Sequence, residues 1–263
     1  MTYPYGKSIL VTGASSGIGR AAAEAFAQAG YTVFAASRHC EETGGNIKMD
    51  VTDEASVLRV RDIIGARGGV GILLHCAGMG IAGAAEDTPE EAVRAQFEVN
   101  YFGVLRVDRV FLPMLRARGG GLVLIMSSVA GRVPLPYQSH YSATKYALDT
   151  YAESLAMEAG QFGVRVSVIE PGDTRTGFTQ ARRMAIPVGS PYARNCESAV
   201  ARMARDEENG ASPALAAKAA LRLAGKTNPP VRVTIGLPYR VVMLLRRVLP
   251  ARAFQSILGR MYR

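Results

Sequence analysis

Seven short apolar runs, rich in β-branched residues, recur between longer helix-like stretches: SILVTG (8–13), YTVFAAS (31–37), NIKMDV (46–51), VGILLHCAG (70–78), GLVLIMSS (121–128), VRVSVIEPG (164–172) and VRVTIG (231–236). A strand that is apolar on both faces belongs in a sheet covered on both sides, and the intervening segments are long enough for helical crossovers. The pattern predicts helices over 17–29, 54–65, 90–117, 140–161 and 212–225, the second opened by Asp53 as N-cap. The expected fold class is α/β: a doubly wound sheet of about seven parallel strands with helices on both faces. At 263 residues the chain suits one domain, 1–263, with a full core. The stretch 173–211, with Gly177, Pro187, Gly189, Pro191 and Gly210, interrupts the alternation without a clear strand, and is read as a mobile substrate lid.

Composition narrows the setting. No segment approaches the roughly 18 continuous apolar residues of a membrane-spanning helix, and the start, MTYPYGKSILVTG, carries no basic-then-apolar leader. Cys40, Cys76 and Cys196 are odd in number and lack neighbours at metal-ligand spacing, so no metal is expected and reduced thiols in the cytoplasm fit best. The net charge of +9 is local: 16 basic and 18 acidic residues precede Arg182, whereas 15 and 4 follow Ala181. A neutral body with a basic end argues against a nucleic-acid partner and for a surface feature added to a scaffold.

The first strand runs into Thr12-Gly13-Ala14-Ser15-Ser16-Gly17-Ile18-Gly19 and an Ala-rich helix. Gly13 permits a tight turn, Gly17 lets backbone approach a pyrophosphate, and Gly19 allows close packing, while the helix N-terminus faces the phosphates. A strand-turn-helix of this kind points to a dinucleotide. Where an NAD site places an acid to accept from the ribose hydroxyl, this chain has Ser37-Arg38, and a guanidinium there pairs with a 2′-phosphate. NADP(H) is therefore expected over NAD(H), with Glu41 and Glu42 turned to water. Asp50 and Val51, closing the third strand, are placed to hold the adenine edge.

The strongest chemical signal is Tyr141-Ser142-Ala143-Thr144-Lys145, with Ser128 thirteen residues upstream at a strand end. Positions four apart share a helix face, so Tyr141 and Lys145 point into the same cleft. A phenol is a poor base at neutral pH, and a neighbouring ammonium is expected to stabilise its phenolate. Ser128 can donate to a substrate oxygen, and Lys145 can also reach the nicotinamide ribose.

These motifs together resemble those of the short-chain dehydrogenase/reductase family over most of the chain. TGASSGIG resembles the family's TGxxxGxG, Asp50-Val51 its adenine contact, Ser128 with YSATK its catalytic core, and Pro171-Gly172 with Thr174 and Thr176 its nicotinamide loop. The resemblance implies a Rossmann-type fold and makes Asn100, in FEVNYFGVL, a relay that holds a water linking Lys145 to solvent. One departure is clear: the family's NNAG reads His75-Cys76-Ala77-Gly78 here. Backbone contacts by Ala77 and Gly78 can survive it, whereas the asparagine side-chain contacts are gone, leaving cofactor affinity open. Cys76 and His75 read as packing rather than catalysis. The extended C-terminus is similar to that of steroid and retinoid dehydrogenases, implying a bulky hydrophobic alcohol or ketone. Leu135, Tyr137, Phe178 and Met184 are candidate pocket residues. Pairing of the long helices, again by resemblance, implies a homodimer or homotetramer.

Two alternatives stand beside secondary-alcohol/ketone interconversion: reduction of a β-ketoacyl thioester, and a catalytically silent NADP(H) sensor. Residues 239–263 interleave apolar positions with Arg240, Arg246, Arg247, Arg252, Arg260 and Arg263. They read either as a segment lying on anionic lipid or as a helix pair, hinged at Pro250, packed on the substrate loop or a neighbouring subunit. The second reading, with no standing membrane contact, is the one adopted.

Overall fold

The computed structural model describes residues 3–262; Arg263 lies outside them. The chain forms β1 (Ser8–Thr12), α1 (Gly17–Gln28), β2 (Thr32–Ser37), β3 (Asn46–Lys48), α2 (Glu54–Ala66), β4 (Ile72–His75) and β5 (Ile81–Ala82). There follow α3 (Glu90–Phe97), α4 (Gly103–Ala117), β6 (Gly121–Met126), α5 (Ser139–Gly160), β7 (Val164–Glu170), α6 (Phe178–Ala181), β8 (Arg183–Met184), α7 (Ala193–Glu208), α8 (Pro213–Ala224), β9 (Arg232–Thr234), α9 (Leu237–Val248) and α10 (Ala251–Met261). Seven strands make one parallel sheet in the order β3-β2-β1-β4-β6-β7-β9, as the doubly apolar runs require.

The register sorts side chains cleanly. Leu10 lies opposite Phe34 and Leu73, and Leu73 opposite Val123; these point to the layer of α2, α4 and α5. Ile9 lies opposite Ile72, and Ile72 opposite Leu122, facing α1 and α8 instead. Strand periodicity of two thus builds two cores from one sheet. Asp53 caps α2, its carboxylate accepting from the amides of Ala55 and Ser56 at 3.1 and 3.2 Å.

Two expectations are revised. The helix predicted over 90–117 is interrupted at Glu98–Phe102 by a wide π-helical turn that carries Asn100, fully buried, toward α5. Residues 173–211 hold more structure than expected: β8 pairs in parallel with β5, α7 buries Cys196, Ala199 and Met203, and the ends of the segment meet at Thr174 and Ala211. The C-terminal residues form two helices that meet at Pro250, the N-cap residue of α10, and Phe254 and Leu258 of α10 are buried against Val133 in the segment after β6, not against 173–211.

Candidate active site

A cleft of about 640 Å³ runs along the C-terminal ends of the strands, where ligands bind in open α/β sheets. Its nucleotide end is lined by Gly13, Ser15, Ser16, Gly17, Ile18, Gly19, Arg38, Asp50, Val51, Ala77 and Gly78. Gly13 adopts φ +66°, and a β-carbon there would sit 2.7 Å from the backbone of Ala77; one on Gly19 would sit 2.2 Å from the carbonyl oxygen of Gly13. Both positions admit glycine alone. Ser16 does not cap α1 with its side chain, so the first-turn amides face the cleft uncovered. The cradle fits a dinucleotide pyrophosphate.

Glu42 does not oppose a phosphate here: its carboxylate accepts from the Lys48 amide at 2.9 Å and pairs with Arg59. Burial would raise the Asp50 carboxyl, but hydrogen bonds from Thr52 and the charges of Arg38 and Arg106 hold it below its usual range. The His75-Cys76-Ala77-Gly78 segment is fastened without asparagines, because the amides of Cys76 and Ala77 both donate to Thr12 Oγ1, at 3.1 and 3.2 Å. His75 Nε2 lies 2.8 Å from Asp108 Oδ1, and the Tyr151 hydroxyl donates to Asp108 Oδ2 at 3.0 Å. His75 is therefore a structural residue. Burial pushes the Cys76 thiol up to about 12, which removes it as a nucleophile.

Ser128, Tyr141 and Lys145 line the middle of the cleft with Pro171, Gly172, Thr174 and Thr176. Ser128 caps a short turn at the end of β6, its Oγ accepting from the Ala130 amide at 3.1 Å; Tyr141 and Lys145 project from the first turns of α5. Burial holds the Tyr141 phenol up at about 12, with smaller influences from Ser128, Glu207 and Arg182. Burial likewise lowers the Lys145 ammonium to about 8, against the upward pull of Asp149 and Cys76. Lys145 Nζ donates to the Met126 carbonyl at 2.9 Å and lies 5.7 Å from the centre of the Tyr141 ring. Burial, the largest influence on the Tyr141 phenol, thus acts in the direction opposite to the one expected from Lys145.

Among the expected catalytic and cofactor residues, Asn100 alone does not line the cleft. Its Oδ1 accepts from the Met79 amide at 2.8 Å, while Nδ2 donates to the Met79 carbonyl and to Thr144 Oγ1 at 3.0 and 3.1 Å. Both amide hydrogens are committed, so its side chain ties the loop after β4 to the residue preceding Lys145.

Of the candidate pocket residues, Leu135 and Phe178 reach the cleft, whereas Tyr137 and Met184 do not; Met184 is half exposed on the two-residue β8. Phe178 leans on Tyr141 with ring centroids 5.6 Å apart. Behind it Arg182 pairs with Glu207, a cleft residue, in an ion pair with almost no exposure on the arginine side. Sequence reasoning missed Glu207, Val133, Met203, Tyr239, Val242 and Leu258. Four of these stand on segments with no motif, Met203 and Glu207 on α7 and Tyr239 and Val242 on α9, and only the helical periodicity of α9 hinted at an inward face.

The sheet, the glycine cradle and the Ser-Tyr-Lys set define a nucleotide-dependent oxidoreductase of the doubly wound class. Residues 7–186 match the family model for short chain dehydrogenase, and the chain belongs to that family. It is 37% identical over 234 residues to 3-ketodihydrosphingosine reductase of Bacteroides thetaiotaomicron, covering 87% of each chain. It is 35% identical over 191 residues to human 17-beta-hydroxysteroid dehydrogenase type 1, covering 65% of this chain and 58% of that one. A short-chain dehydrogenase structure from Streptomyces avermitilis superposes with a TM-score of 0.82 at 33% identity, covering 97% of this chain and 96% of the other.

Proposed function

We propose that this protein uses NADPH to reduce the ketone of a bulky or long-chain apolar substrate to a secondary alcohol. The observation that carries the reading is one cleft holding Tyr141 beside Ser128 and Lys145, with an apolar far wall formed by Val133, Leu135, Val242, Leu258 and Met261. Ser128 holds the carbonyl oxygen through its hydroxyl. Tyr141 gives its proton to that oxygen, and the Lys145 ammonium stabilises the phenolate that remains. Bound NADPH supplies the hydride. Asn100 acts as a positioning residue through Met79 and Thr144, and Phe178 on the 173–211 lid shields the donor from water.

Arg38 supports the choice of NADP(H) over NAD(H), since it lines the nucleotide end with no acid at the ribose position and with Glu42 turned away. The two relatives above act, by name, on a ketone of a long-chain base and on a hydroxysteroid, which supports an apolar substrate over an acyl thioester. The three cysteines are all free, which suits the cytoplasm. A homodimer paired through α4 and α5 would cover Phe102 and Met157, which are 46% and 76% exposed.

The test is loss of NADPH absorbance against 3-ketodihydrosphingosine, ketosteroids, retinaldehyde and β-ketoacyl thioesters. Tyr141→Phe should bind NADPH normally and lose about 10²- to 10⁴-fold in turnover. Retained turnover in that variant overturns the assigned roles, and a preference for thioesters overturns the substrate class.

A further inference from the structure

The two readings of the basic C-terminus divide between its two helices. α10 buries its apolar face as described, but α9 has a second one. Tyr239, Val242 and Met243 face inward, toward the cleft and the Val133 cluster. Leu237, Val241, Leu244 and Val248 recur at helical spacing on the opposite side and are 73%, 49%, 61% and 64% exposed. No residue of the 12-residue helix is fully buried. Four large apolar side chains in a row facing water are an interaction surface in want of a partner.

The surrounding charge selects that partner. No Asp or Glu follows Glu208 in the sequence, so the last 55 residues are without a carboxylate side chain. Among the described residues Arg240, Arg246, Arg247 and Arg252 pair with no acid. A second cleft beneath α9, bordered by Leu244, is lined by Arg132, Arg246 and Arg247; its acids Asp149, Glu153 and Glu170 are all held by Arg232. A second copy of this face would set arginine against arginine. Nucleic acid would neutralise the arginines but leave the apolar row wet. An anionic bilayer answers both features, taking the apolar row between its headgroups while its phosphates meet the guanidinium groups.

We propose that α9 docks flat on an anionic lipid surface, through Leu237, Val241, Leu244 and Val248 flanked by Arg240 and Arg247, while Arg246 lies over the ring of Phe254 at 5.4 Å on the inward side. No helix of the described chain is long and apolar enough to cross a membrane, so the contact is interfacial. Because Tyr239 and Val242 on the inward side of the same helix line the catalytic cleft, the docked helix stands between the cleft and the bilayer as a shared wall.

The experiment is co-sedimentation of the full chain with vesicles of phosphatidylcholine alone or mixed equally with phosphatidylglycerol. Wild type should bind the mixed vesicles at about 50 mM salt, release them at about 500 mM, and bind phosphatidylcholine weakly. Val241→Glu/Val248→Glu should lower vesicle partitioning at least about tenfold while keeping turnover of a water-soluble ketone. Arg247→Ser, which leaves the apolar row intact, should weaken binding to the anionic vesicles alone. Absence of wild-type binding at low salt overturns the proposal. So does undiminished binding by the double Glu variant, equal retention by duplex DNA, or a dimer in solution that the double variant dissociates. Vesicle binding is read without turnover, so failure of the ketone-reductase reading would leave this result unaffected.

Discussion

The ring of Tyr239 fills the space that a side chain on Gly172 would need: a β-carbon there would lie 2.1 Å from the nearest ring carbons. The Tyr239 hydroxyl also accepts from the Asp173 amide at 2.9 Å and donates to the Asp173 carboxylate at 2.5 Å. The last part of the chain thus clamps the loop after β7 that bounds the reacting end of the cleft. Gly172→Ala should therefore cost about 1–3 kcal/mol of stability by overpacking and slow turnover. Gly172→Ala/Tyr239→Ala should recover much of the thermal stability, measured by calorimetry, because the obstructing ring is gone.

Arg38 governs the nucleotide preference. Arg38→Ser should weaken NADPH binding about 10- to 100-fold, the equivalent of losing a charge-assisted hydrogen-bonded pair worth roughly 1.5–3 kcal/mol, and leave NADH nearly unchanged. Fluorescence titration with both nucleotides checks it; equal losses for the two would show that Arg38 does not meet the 2′-phosphate.

Lys145 sets the alkaline limit. Its ammonium is the form that stabilises the Tyr141 phenolate, and burial lowers it to about 8, so kcat/KM for ketone reduction should fall above that pH. Tyr141, held up at about 12, contributes no loss in that range. Lys145→Met should be slow at neutral pH and lack the decline. Stability moves oppositely: between about 8 and the ordinary 10.5 the unfolded chain binds this proton more readily than the fold, so the Lys145 contribution to stability rises with pH across that window.

Asp108 is fully buried between His75 and Tyr151. Asp108→Ala leaves both partners unpaired inside the protein and should destabilise by about 2–4 kcal/mol. Asp108→Asn, which keeps an acceptor, should lose less. Denaturant midpoints for the two variants decide it, and a difference near zero would mean that the partners rehydrate.

The sheet was legible because its strands are buried on both faces, a condition that shows as unbroken apolar runs such as ILLH and GLVLIM. The nucleotide end was legible because it is built from local segments at strand ends, where Gly13, Gly17 and Gly19 answer to backbone geometry alone. The turn at Asn100 was hidden: FEVNYFGVL has the apolar content of a continuous helix, and the π-helical step goes with tertiary hydrogen bonds of Asn100 with Met79 and Thr144, far away in sequence. The state of Tyr141 was hidden for a related reason. Four-residue spacing puts Lys145 on its face, but the balance between that charge and burial is decided by Phe178 and the elements that close over it. Tyr239 and Glu207 carried no signal because a wall residue needs only shape, and many sequences supply the same shape.

The family match ends at residue 186, and much of the far wall of the cleft begins after it, with Met203, Glu207, Tyr239, Val242, Leu258 and Met261. The cleft is therefore shared between a stretch that carries Ser128, Tyr141 and Lys145, together with Val133, Leu135 and Phe178, and a later one that supplies much of the remaining wall. The later stretch also reaches the reactive end, through Tyr239 on Asp173, so drift in it would reshape the wall most freely where that clamp is kept.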